Sequence, residues 1–294
     1  MLATGMDDTF QAVARELPEP IRAFGEQLPY RLGLTRTPEG RWEEFWVLDI
    51  NRDLPGYAAE LPGGWLVPPE ALGHYRAAHH CAVIHGLIAD RLADRQVPPD
   101  SRFHVLRRAY RLAWERELTT ATGDAGFARH AIARALRSLR RGTAMEQRSL
   151  ARRRLDPATY AVQTREKLRW GGASAWCMLQ HAREPVRALM LERSYDLFCF
   201  ALQCLDDALD CGEDERNRGT SVPAVLGVPL GALVRATPRL VASAIAHAEQ
   251  AGLPRMVRWL ISFSSLVSRL DPGGDAEVNE RAGWLIAETA EEVL

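Results

Sequence analysis

From Ala71 onward the chain reads as long helix-period stretches cut by short breaks, and this pattern constrains the fold more than any other feature. The breaks are Val97-Pro98-Pro99, Thr122-Gly123-Asp124, Asp156-Pro157, Glu184-Pro185, Cys211-Gly212, Val222-Pro223, Ala251-Gly252 and Pro272-Gly273-Gly274. Apolar residues between them recur three and four positions apart, in segments of about 15–28 residues, as buried helix faces require. No stretch alternates with period two for long enough to make a sheet. The pattern predicts an all-α protein, one large helical bundle over residues 71–294. Residues 28–70 are richer in Pro, Gly and Trp, and their one strand-like run is Phe45-Trp46-Val47-Leu48. Residues 1–70 are therefore expected to wrap the bundle as loops and short helices, giving one domain overall.

Of the 294 residues, 47% are hydrophobic and 26% charged, enough apolar material for a sizeable core and a buried pocket. The 37 basic and 38 acidic side chains leave a formal charge of −1, so no global field draws the chain to nucleic acid or an anionic membrane. Nucleic acid is not expected as a partner. The charge run Arg148 to Arg154 reads equally well as a solvated helix face. The five cysteines include no CxxC pair, and all but Cys211 lie inside apolar helical patterns, as expected of reduced thiols in a cytoplasmic protein. The amino-terminal stretch carries acids where a signal peptide carries positive charge, and no apolar run approaches a membrane span.

The chemistry concentrates in Leu202 to Pro223, LQCLDDALDCGEDERNRGTSVP, where Gln203, Asp206, Asp207 and Asp210 share one predicted helix. Asp206 and Asp210 are four apart and so lie on one face, among Phe198, Phe200, Leu202, Leu205 and Leu209, most of which are expected to be buried. Like charges in apolar surroundings are costly unless a cation joins them. Mg²⁺ suits that task, since it takes oxygen ligands and bridges carboxylates to phosphate. A second pair, Asp90 and Asp94, stands four apart on an apolar helix upstream. Two such helices facing each other would form a metal mouth. His79, His80 and His85 precede that pair, but their spacings do not share a helix face as zinc ligands would.

LQCLDDALDCGED resembles the second aspartate-rich motif of the trans-isoprenyl diphosphate synthases and the DxxxD-GED pattern of the phytoene and squalene synthases. Asp90 and Asp94 resemble the first motif of these families, and Gly219, Ser221-Val222-Pro223 and Leu226-Gly227 resemble the small-residue and Pro-Leu-Gly pattern these families carry after the second. Gln147, Tyr160 and Lys167 fall in the order at which trans-prenyl synthases carry a Gln, a Tyr and a diphosphate-binding Lys. The resemblance covers roughly residues 75–230 and implies the all-α bundle of the class I isoprenoid (terpenoid) synthases with a central active-site cavity. It implies two or three Mg²⁺ ions held by Asp90, Asp94, Asp206, Asp207 and Asp210. It also implies an isoprenyl diphosphate held by Lys167, Arg216, Arg218, Gln203 and Tyr160. A homodimer is the assembly common in these families.

The implied reaction removes diphosphate from an allylic substrate, and Asp90, Asp94, Asp206, Asp210 and Lys167 are the expected catalytic residues. The carbocation left behind would be shielded by Trp170, Trp176, Phe198 and Phe200, whose ring faces attract cations. Glu213 and Asp214 are expected to serve the loop just beyond them. Three departures bear on the reaction type: Ala89 stands where an elongase has an Asp, no Gly-Gly-Lys-Arg segment occurs, and Arg165-Glu166-Lys167-Leu168 replaces a Lys-Thr. Asp94 is followed by Arg95-Gln96-Val97-Pro98 rather than by an Arg pair. The leading expectation is a terpene synthase giving a cyclised or eliminated product. The alternatives are a prenyltransferase joining two prenyl units or prenylating an acceptor, and a non-catalytic isoprenoid-binding protein.

Overall fold

Helix follows helix along the chain, and the sequence breaks fall at helix ends. The computed structural model describes residues 5–45, 49–61, 63–94 and 96–294. In chain order the elements are α1 (Met6–Arg15), α2 (Glu19–Glu26), α3 (Leu28–Arg31), α4 (Trp42–Phe45), α5 (Asp49–Ala59), β1 (Glu60–Leu61), β2 (Gly64–Trp65), α6 (Pro69–Ala93) and α7 (Ser101–Thr122). They continue as α8 (Ala125–Arg152), α9 (Pro157–Leu168), a 3₁₀ turn (Arg169–Gly172), α10 (Ala173–His181), α11 (Pro185–Leu209), α12 (Cys211–Arg218), α13 (Val222–Leu226), α14 (Leu230–Gln250), α15 (Pro254–Val267) and α16 (Ala276–Val293). No helix among the described residues is long and apolar enough to cross a membrane.

Local chemistry explains the boundaries. Pro69, Pro157, Pro185 and Pro254 each open a helix, where their fixed φ costs nothing and their missing N–H is an orphan anyway. Asp100 accepts from the Arg102 N–H at 2.8 Å, Asp156 from that of Thr159 at 2.8 Å, and Asp275 from those of Glu277 and Val278. Gly123, at φ 68°, ends α7 in the left-handed region that glycine enters freely. Of the strand-like run, Phe45 closes the short α4, while Trp46, Val47 and Leu48 lie outside the described residues, as does Arg95. The strand structure described is instead a two-residue antiparallel pair, Glu60 opposite Trp65 and Leu61 opposite Gly64.

The chain divides into two compact units, residues 1–135 with 170–185, and residues 136–169 with 186–294. Residues 5–70 belong to the first unit together with α6, α7 and α10. At the centre of this unit is α6, whose Leu72, Tyr75, His79, Cys81, Ile84 and Ile88 point in several directions and are all buried. A helix apolar on every side must be surrounded, and α5, α7 and α10 pack around it. In the second unit α11 is the helix buried on all sides, with Leu191, Tyr195, Phe198, Phe200 and Cys204 inside. There α14 packs on α15 and α16, and α16 on α9.

Three of the four histidines of α6, His79, His80 and His85, are structural ties. His79 Nε2 is 2.7 Å from the Asn51 carbonyl, His80 Nε2 2.8 Å from that of Arg52, and His85 Nδ1 2.9 Å from that of Arg107. Each ring donates to a carbonyl and is neutral, and burial pushes both His80 and His85 down to about 4. An unfolded chain protonates its histidines near pH 6.5, whereas the folded one resists until about 4. The contribution of these rings to stability is therefore present above pH 6.5 and is lost as pH falls towards 4, by on the order of 3 kcal/mol each. We expect His85→Asn, whose amide can still donate to Arg107, to lose less stability than wild type between about pH 7 and pH 5. Urea unfolding at the two pH values measures this; equal losses would contradict it.

Candidate functional site

The last turn of α11 carries Asp206 and Asp207 and no basic residue, and Asp210 follows directly as the residue before α12. In the other unit, Asp90 sits in the last turn of α6 and Asp94 caps it. Asp90, Asp94, Asp206 and Asp207 therefore stand at the C-terminal end of a central helix, where the macrodipole is negative and a carboxylate is disfavoured by about 0.3–1 kcal/mol, whereas Asp210 is also the N-cap of α12.

Burial along α11 differs from the expected phase. Asp206 and Asp210 are exposed, Leu205 is half-buried and Leu209 is 83% exposed, because the last turn runs out past the core. Of the acids at this end of the helix, the buried one is Asp207. Its Oδ2 accepts from the Tyr160 hydroxyl at 2.5 Å and its Oδ1 from Gln203 Nε2 at 2.9 Å. Burial pushes its carboxyl up to about 7; the two hydrogen bonds oppose this, and the charges of Asp206 and Glu146 add to it. Tyr160 and Gln203, expected at the diphosphate, here brace Asp207, and Gln203 also reaches Asp206 at 3.4 Å. Tyr160 itself packs edge-on against Phe200, ring centres 4.9 Å apart.

Lys167, near the end of α9, is buried, and its Nζ lies 3.0 Å from a carboxylate oxygen of Glu146 on α8. Glu146 was not among the residues singled out by the sequence. It sits one turn beyond Gly142, where α8 meets the α9 backbone so closely that a Cβ would stand 2.2 Å from the Lys167 nitrogen. That contact sets Glu146 against Lys167. A compositional signal was present: of the 37 basic residues only Lys167 is a lysine. A chain that uses arginine everywhere else carries its single primary-amine side chain here, as a compact point charge.

Other acids of the second unit feel one another's charge. Glu146 raises both Asp207 and Asp214 by its charge, and Asp214 is pushed up first by partial burial, then by Asp210, Glu146 and Glu213, with Arg218 opposing. Arg218 pairs with Asp214 at 3.4 Å. Arg216 and Glu213 are exposed on α12, which has no buried residue. Asp206, Asp210, Asp214 and Glu146 offer hard carboxylate oxygens only, the donor set that fits Mg²⁺ rather than a softer metal. Among the described residues no three His, Cys, Asp or Glu side chains already converge on one point.

The aromatic residues expected to line a cavity divide between the units. Trp170 lies against the Gly86 backbone, where a Cβ would come within 2.4 Å of its ring. Half-buried Trp176 stacks on Phe127 and under Arg134. In the second unit, fully buried Phe198 packs edge-on against Trp259 and Phe263.

No protein-family model matches the sequence, and no curated protein matches it. The fold is similar to the crystal structure of polyprenyl synthetase from Streptomyces coelicolor A3(2), with a TM-score of 0.53 and 17% sequence identity over 97% of this chain and 95% of that one. The chain therefore has the all-α isoprenoid-synthase fold.

Proposed function

We propose that this protein is a Mg²⁺-dependent enzyme of isoprenoid metabolism that binds an isoprenyl diphosphate and expels the diphosphate. The observation that carries the reading is the chain's only lysine, buried on α9 and paired with Glu146, in the same unit as Asp206, Asp210 and Asp214. Asp206 and Asp210 would hold Mg²⁺, with Glu146 and Asp214 as further oxygen donors of the same unit. The metal would supply positive charge to the diphosphate as it departs. Lys167 would donate to the same oxygens, with Arg216 and Arg218 able to add to it from α12. Asp207, fixed by Tyr160 and Gln203, would hold the last turn of α11 in place.

Coupling of two prenyl units, the prenyltransferase reading, is favoured over cyclisation by the similarity to a polyprenyl synthetase structure. Ionisation of a single substrate keeps one point in its favour, the missing Arg pair and Gly-Gly-Lys-Arg segment. Incubation of farnesyl diphosphate with Mg²⁺, with and without isopentenyl diphosphate, separates the two. A longer prenyl diphosphate formed only with both substrates supports coupling; a hydrocarbon from farnesyl diphosphate alone replaces it with cyclisation or elimination.

A further inference from the structure

We propose that the outer face of the second half of α8 is a docking surface for an anionic phospholipid bilayer. Arg137, Arg140, Arg141, Arg148 and Arg152 are all exposed. At 3.6 residues per turn they fall within an arc of about 120° and run for about 22 Å along the helix. Only Ala144 and Ala151 interrupt the arc. Among the described residues none of the five arginines pairs with a carboxylate. The single acid between residues 137 and 155, Glu146, points the other way and holds Lys167.

The stripe is a local feature, since the whole chain has a formal charge of −1. It also continues past the helix at a conformational cost. Arg153 adopts φ 50°, the left-handed conformation in which helices usually end on glycine, and exposed Arg154 follows. A cation is kept where the backbone favours the residue without a side chain.

Charge complementarity selects a phosphate-bearing partner, and the composition of the face selects which. Within the arc there are guanidinium and methyl groups only, with no aromatic ring on which a base could stack and no amide to read a base edge. A straight row of cations on one helix suits a planar field of headgroups, to which polybasic segments adsorb by charge alone. Adsorption of this kind would bring the proposed site to the surface in which prenyl chains dissolve.

The test is co-sedimentation with vesicles of phosphatidylcholine, with and without phosphatidylglycerol. Wild type should pellet with the phosphatidylglycerol vesicles at low salt, not with phosphatidylcholine alone, and be released by high salt. Replacing Arg137, Arg141, Arg148 and Arg152 by Gln should weaken binding on the order of 10²–10³-fold. Replacing the same four by Lys should leave it near wild type, which also guards against a folding defect. Wild type indifferent to phosphatidylglycerol overturns the proposal, as do Gln variants that bind equally or tighter binding to duplex RNA at the same salt. Diphosphate release measured without vesicles is independent of all these outcomes, so failure here leaves the proposed chemistry to its own test.

Discussion

Lys167→Ala is expected to lower kcat/KM for diphosphate release by about 10²–10³, the usual effect of removing one preorganised donor to a developing anion. The side chain is buried, so its charge acts in surroundings where water screens little. The same substitution also leaves Glu146 without its ammonium partner, and an unpaired, mostly buried carboxylate is itself destabilising. Steady-state kinetics beside a second variant separates the two consequences. Removing both partners, Lys167→Ala with Glu146→Ala, relieves the unpaired charge and should restore stability. If Lys167 serves only as Glu146's partner, activity returns with stability in the double variant; if the double variant stays inactive while Glu146→Ala alone keeps activity, Lys167 acts on the diphosphate itself.

Gly142→Ala should destabilise the protein by about 1–3 kcal/mol or more, against the ordinary trend in which Gly→Ala inside a helix stabilises by about 0.4–1 kcal/mol. The clash decides the sign. An added Cβ would meet the Lys167 nitrogen at 2.2 Å and the Glu166 carbonyl carbon and Lys167 Cα at 2.6 Å, all of them backbone atoms that cannot rotate aside. The two helices must separate, and Lys167 and Glu146 part with them. Gly212→Ala, whose Cβ would meet only the end of Arg216 at 3.6 Å, provides the contrast and should be neutral or slightly stabilising. Urea unfolding of both variants checks the prediction; a neutral Gly142→Ala would mean that α8 and α9 are not in contact there.

Much of this architecture was legible because Pro, Gly and Asp mark helix ends by local chemistry that tertiary contacts rarely override. The eight breaks read from the sequence fall at the ends of α6 through α16. Two were missed: the 3₁₀ turn Arg169–Gly172 between α9 and α10, which contains Gly171 and Gly172 but no proline, and the Gly227–Pro229 break between α13 and α14. Depth was harder to read than direction. Helical periodicity places Leu205, Leu209, Asp206 and Asp207 on faces, yet how far a last turn projects beyond the core depends on where the neighbouring helices stop. Leu209 accordingly proves exposed and Asp207 buried.

Glu146 escaped the sequence reading for a different reason. A glutamate in an arginine-rich helix resembles any solvated acid, and only the close approach at Gly142 turns it towards Lys167. The role of Asp207 was likewise hidden, since its Tyr160 partner lies 47 residues away in the chain. What the sequence did carry was the identity of Lys167 as a lone lysine among arginines, a signal that needs no alignment.

The central claim is tested most directly by diphosphate release from farnesyl diphosphate plus isopentenyl diphosphate, measured for wild type with Mg²⁺, with a chelator, and for Asp206→Asn. The account predicts release by wild type with Mg²⁺ only, and a rate for Asp206→Asn lower by at least about 10²-fold, as expected when one carboxylate holding a catalytic metal is neutralised. Release that persists under chelation, or that Asp206→Asn leaves unchanged, would contradict it.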